Sequence, residues 1–173
     1  GYRERPDGSP LSIQIATQPD QFSRQFDEAW QKDFGAVGIR VSFFPGQWSE
    51  QLKAAYAGKL QMWTLGGSAA SPDGLDTMQS YYSKQIGNGG NFARFRNAEM
   101  DHIYDEVARM ADGPERDALF YEAKLIGTAL MPYKSLMHRF SNTLAYKYLI
   151  GYRRPLFWNE WWHLVDIQKD AAP

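Results

Sequence analysis

Leu11, Ile13 and Ile15 alternate with polar residues, the period of a strand with one covered face. From Thr17 or Gln18, with Pro19 tolerated in a first turn, the period changes. Phe22, Phe26, Ala29, Trp30 and Phe34 then share one side of a predicted helix, and Gly35 or Gly38 is placed to end it. Ile39, Val41 and Phe43 alternate again, and Pro45-Gly46 turns the chain. Trp48, Leu52, Ala55 and Tyr56 mark a second helix closed by Gly58, before a third strand at Leu60, Met62 and Thr64. Strands alternating with helices predict an α/β fold whose strands run parallel through crossover helices. Ligands of such sheets collect beyond the carboxyl ends of the strands, so residues 66–74 are the first place to look.

A short helix is expected over 75–82, followed by a long Gly/Asn loop over 83–96, a length and composition that suit function or mobility. Asn97 is placed to cap a helix with an apolar stripe of Met100, Ile103, Tyr104, Val107 and Met110. Asp112-Gly113-Pro114-Glu115 breaks it and starts another, lined by Leu119, Ala123, Ile126 and Leu130. After Pro132 the pattern reads as β and aromatic, through Tyr133, Leu136, Tyr146, Tyr148 and Trp158 to Trp162, and residues 169–173 read as a frayed tail.

With 173 residues, 43% hydrophobic and 23% charged, the composition is globular and sufficient for one domain with a core. A formal net charge of -1 without any Lys/Arg run argues against a nucleic-acid partner, since no basic face is available to neutralise phosphates. The absence of cysteine removes disulfides, thiolate nucleophiles and thiolate metal sites. No apolar stretch is long enough to span a bilayer. The chain opens in a polar, turn-rich stretch that reads as a cut inside a longer protein.

Four motifs invite chemistry. Gly66-Gly67-Ser68-Ala69-Ala70 nearly matches the G-x-S-x-G nucleophile elbow, which would make Ser68 the nucleophile of a hydrolase with His138 or His163 as base. The last glycine is replaced by Ala70, and Ser71-Pro72-Asp73-Gly74 is a turn where the elbow needs a helix, so a loop hydroxyl is the better reading. Gly87-Asn88-Gly89-Gly90-Asn91 offers backbone N–H groups to an anion but lacks the Lys-Ser/Thr of a P-loop. His102 and Glu106 share a helix face, too few ligands for a metal. Trp158, Trp161 and Trp162 would serve an alternative reading as a protein-interaction domain.

Three stretches together resemble one family, the family-5 bacterial extracellular solute-binding proteins, which take dipeptides, oligopeptides or nickel. The opening Gly1-Tyr2-Arg3-Glu4-Arg5-Pro6-Asp7-Gly8-Ser9-Pro10-Leu11 resembles the segment that enters the family's second lobe. Asn97-Ala98-Glu99-Met100-Asp101, followed by Glu115-Arg116 and Tyr121, resembles its helical pair. The stretch from Pro132 to Leu149-Ile150-Gly151-Tyr152 resembles the strands that return toward the first lobe.

The resemblance implies a type II periplasmic-binding-protein lobe, a mixed sheet flanked by helices and a fragment of a two-lobed protein. Residues 1–140 would form the C-terminal lobe and 141–173 the return strands and tail. It implies the substrate-binding component of an ABC importer: periplasmic after loss of a signal peptide, without catalytic residues, metal or cofactor. Its partners would be a peptide or other small solute, membrane permease subunits and the missing N-terminal lobe, with hinge closure around the solute. The family's ligand loop reads Gly-Trp-x-Ala-Asp-Tyr-x-Asp-Pro. Gly66, Ala69 and Asp73 match it, Gly67 stands at the tryptophan and Ala70 at the aspartate that pairs with a peptide's ammonium. Losing that anchor leaves a buried ammonium unpaired and implies a ligand bulkier than, or chemically unlike, a dipeptide. The expected ligand contacts are Trp63, Gly66, Gly67, Ser68, Ala69, Ala70, Asp73, Asn91 and Arg94.

Overall fold

A computed structural model describes residues 1–138, 140, 142–157 and 160–168. The chain divides into two compact units, Gly1–Gly67 with Ser80–Asn97, and Ser68–Gln79 with Ala98–Pro173. Residue 141, the expected start of the return strands, lies outside the described residues.

The first unit is built on β1 (Ser12–Thr17), α1 (Gln21–Ala36), β2 (Arg40–Pro45), α2 (Trp48–Tyr56) and β3 (Met62–Trp63). The strands are parallel in the order β2-β1-β3, with Ile15 opposite both Phe43 and Met62 and Ala16 opposite Trp63. Being central, β1 buries the consecutive residues Ile15 and Ala16 rather than one alternating face. The third strand is shorter than its apolar pattern predicts. Beyond its paired residues the Gln61 carboxamide takes over, accepting the Gln14 N–H at 2.8 Å.

Helix α1 starts two residues past the proline that was expected to open it. Asp20 caps it, accepting the Ser23 N–H at 2.9 Å and the Ser23 hydroxyl at 2.7 Å, which satisfies a donor the first turn leaves open. Its end is a left-handed Gly38 (φ 76°), which lets the Ile39 N–H return to the Phe34 carbonyl at 2.8 Å. None of its residues is fully buried; Phe26, Trp30 and Phe34 are half-covered and Phe22 is open. Helix α2 docks through Gln51 and Ala55. The Gln51 amide donates to the carbonyls of Thr17 and Phe44, tying the helix to the carboxyl ends of β1 and β2. Past β3, this unit also contains Ser80–Asn97, where the segment predicted as one loop over 83–96 opens with a short 3-10 turn at Ser83–Gln85.

The second unit contains α3 (Gly74–Met78), α4 (Ala98–Val107) and α5 (Pro114–Leu130), with an antiparallel pair of two-residue strands, β4 (Leu149–Ile150) and β5 (Asp166–Ile167). The mixture of parallel and antiparallel pairing therefore lies in two separate sheets. Met100, Ile103 and Val107 of α4 are buried, as their spacing predicts, together with Met78 and Ala123. Pro114 sits in the first turn of α5, where its missing N–H costs nothing. The predicted helix over 75–82 is cut short at Met78, before the 3-10 turn. The β reading of the last third is met only by β4 and β5 among the described residues. Phe140, Leu144 and Leu156 are almost fully exposed there, so this apolar strand-like sequence finds no surface to pair with among the described residues. Residues 169–173, read as a frayed tail, lie outside the described residues.

Candidate functional site

At the carboxyl edge of the parallel sheet the first unit gathers aromatic rings. Trp63 ends β3 and Trp48 opens α2; their indoles stack at 5.4 Å with 25° between planes. Phe92, from the Gly/Asn loop, meets Trp63 edge-on at 5.5 Å and Tyr56 at 5.0 Å. Such offset and edge-to-face arrangements suit the ring quadrupoles and fix the rings. Gly66 and Gly67 follow as exposed backbone, and a Cβ added at Gly67 would meet nothing within 4 Å.

Two loop residues named from the sequence take different positions here. Asn91 is buried: its amide donates to the carbonyls of Tyr82 at 3.0 Å and Phe95 at 2.9 Å, and its oxygen accepts the Phe95 N–H at 3.0 Å. It braces the loop that presents Phe92. Arg94 is exposed and held in the left-handed region (φ 53°), with Nη1 3.4 Å from the Tyr56 carbonyl. Its guanidinium lies against Gly58, where a Cβ would come within 2.7 Å of Nη1. In the glycine run Gly87 is open, whereas a Cβ at Gly89 would collide with the Gln85 side chain.

In the second unit Ser68, Ala69 and Ala70 are exposed and irregular. The next helix begins only at Gly74, so Ser68 has no elbow geometry. Asp73 accepts two hydrogen bonds from Arg116 Nη2, at 3.0 and 2.8 Å, and one from the Leu75 N–H at 2.9 Å as the cap of α3. The Arg116 bonds and then the Leu75 N–H hold its carboxyl below the ordinary range. Arg116 also donates to the Val107 carbonyl at 3.2 Å and to Asp112 at 2.8 Å, with its guanidinium over the Phe120 ring. Gly74 lets that ring approach: a Cβ there would be 3.0 Å from Phe120. From the sequence Arg116 entered only through the Glu115-Arg116 stretch of the resemblance; its reach back to Asp73 has no local signal.

His102 and Glu106 are 3.5 Å apart on an exposed face, and no group of three potential metal ligands occurs among the described residues. Trp161 stacks on Trp162 at 4.0 Å and meets Tyr152 edge-on, whereas Trp158 lies outside the described residues.

No protein-family model matches the chain. It is 28% identical over 149 residues to a di/tripeptide-binding protein of Pseudomonas aeruginosa, covering 84% of this chain and 28% of that one. It is 27% identical over 107 residues to heme-binding protein A of Haemophilus influenzae, covering 61% of this chain and 19% of the relative. The periplasmic oligopeptide-binding protein of an oligopeptide ABC transporter from Thermotoga maritima superposes with a TM-score of 0.76 at 20% identity, over 94% of this chain and 33% of that one. The chain thus spans about a third or less of the proteins it matches. Its fold is that of part of a type II periplasmic-binding protein, and the resemblance to the solute-binding proteins read from the sequence is borne out.

Proposed function

We propose that this chain, a relative of the solute-binding proteins of ABC importers, is part of a periplasmic receptor. It would capture a peptide-like or other small solute between two lobes and deliver it unchanged to membrane permeases. The observation that carries this is the exposed, aromatic-edged loop at the carboxyl ends of a parallel sheet, in a chain whose relatives bind di/tripeptides and heme. Within the first unit the proposed solute contacts are Trp63, Gly66, Gly67 and Arg94; within the second, taken by itself, they are Ser68, Ala69 and Ala70. Asn91 and Asp73 support their loops from behind. The apolar residues left bare after Met131 would be covered by the rest of a longer protein.

The role is binding without turnover. Calorimetry of the full-length protein against di- and tripeptides, opines and metal chelates is expected to give one solute per protein, recovered intact by chromatography. Ser68→Ala is expected to weaken binding by about tenfold at most, the loss of one hydroxyl contact, with the solute still recovered intact. Consumption of the solute, abolished by Ser68→Ala, would overturn the receptor reading in favour of a hydrolase.

A further inference from the structure

Two large apolar side chains of α5 lie off the stripe that packs inward. Tyr121 is 59% exposed and Leu125 51% exposed, whereas Arg116 and Ala123 are buried. With half-buried Leu119 and with Met110, just past α4, they line an open groove of about 930 Å³ within the second unit. Its α5 wall recurs at steps of three and four residues, 115, 118, 119, 122 and 125, so the groove follows one helix face for about 15 Å. The charged lining is acidic: Glu106, Glu115 and Glu122 against the single cation Arg109. Glu106 has His102 beside it at 3.5 Å, but neither Glu115 nor Glu122 meets a cation among the described residues. The helix dipole accounts for Glu115 in the first turn of α5. It does not account for Glu122, which stands between Leu119 and Leu125 on the same face.

Unpaired carboxylates among exposed apolar side chains are complementary to cations carried on an apolar surface. Small-molecule sites enclose their ligand, whereas this open trough contacts one side of its occupant. Its carboxylates repel phosphates and anionic lipid, and a second copy of the same face would set carboxylate against carboxylate. We propose that the groove between α4 and α5 docks a basic amphipathic helix of a partner protein. The apolar stripe of that helix would lie on Leu119, Tyr121 and Leu125, and its lysines or arginines would pair with Glu115 and Glu122. The proposal stands apart from the solute-binding reading, because it uses no residue of the loop beyond β3.

The probe is a fluorescein-labelled peptide about 14 residues long, with Leu at every third or fourth position and Lys between, enough helix to span the groove. It is titrated by anisotropy against the full-length protein. The peptide is expected to bind about tenfold more tightly than its counterpart with Glu for Lys, and than a scrambled peptide of the same composition. Glu115→Lys with Glu122→Lys is expected to weaken it about tenfold, and Tyr121→Ala with Leu125→Ala likewise. Glu28→Lys with Glu99→Lys, an equal change of charge at exposed positions outside the groove, is expected to leave binding within about twofold. Circular dichroism checks that each variant is folded. Equal weakening by both charge variants, no preference for the basic peptide, or no binding overturns the proposal. Protection of Tyr121 from hydroxyl-radical labelling in the free full-length protein also overturns it, since the rest of that protein would then fill the groove.

Discussion

Asp73 holds two things at once: the first turn of α3, through the Leu75 N–H, and Arg116, through both oxygens. Its folded-state pKa is depressed, so the stability it contributes is present above the unfolded value of 3.8 and lost as pH falls through the lower folded value. Denaturant titrations between pH 6 and about pH 2 are expected to show the wild-type protein losing stability at the acid end and Asp73→Asn losing less. Equal acid sensitivity in both would assign the loss to other carboxylates such as Asp7 and Asp20, whose pKa values are also lowered. Gly67 makes the opposite case. Nothing lies where its Cβ would point, so Gly67→Trp is expected to change stability by no more than about 0.5 kcal/mol, read by chemical denaturation. At this scale the candidate loop was legible as a position on the chain. The side-chain assignments were less so, because Asn91 and Asp73 turn their polar atoms to Tyr82, Phe95 and Arg116, partners set by folding rather than by spacing.

Among the elements, those with their own start and stop chemistry were the readable ones. Gly38, Gly58 and Pro114 were read from the sequence and act within a turn of where they stand, whereas the Asp20 cap was not read; β1, α1, β2, α2, α4 and α5 follow the predicted pattern closely. Extents failed where a distant partner decided them, as in the two-residue β3 and the stretch after α5. The helical stripe of α4 carries a quantitative expectation. Met100 is 1% exposed, and Met100→Ala is expected to cost about 2–5 kcal/mol of unfolding free energy, against less than about 0.5 kcal/mol for its exposed neighbour in Glu99→Ala. Gln51 is the corresponding polar test in α2. Gln51→Ala leaves the Phe44 carbonyl without this donor and is expected to cost about 1–3 kcal/mol by the same denaturation measurement.

For the molecule as a whole, the alternation of strand and helix in the opening third was sufficient to predict a parallel sheet. It was not sufficient to predict the division into two units, because the segment after β3 belongs with α4 and α5 through contacts such as Asp73 to Arg116. The apolar residues left exposed in the last third follow the same rule: their pattern is that of covered strands, and nothing among the described residues covers them. Restoring it is the condition for testing what the protein does. The most direct measurement is a thermal-shift screen of the full-length protein against peptides, aromatic acids, opines and metal chelates. A receptor must be stabilised by its solute, by about 2.7 kcal/mol when the solute is at a hundred times its dissociation constant. The account predicts a concentration-dependent rise in melting temperature for one chemical class, with the solute recovered intact. A folded protein that no solute shifts, or one that consumes the compound that shifts it, would contradict the account.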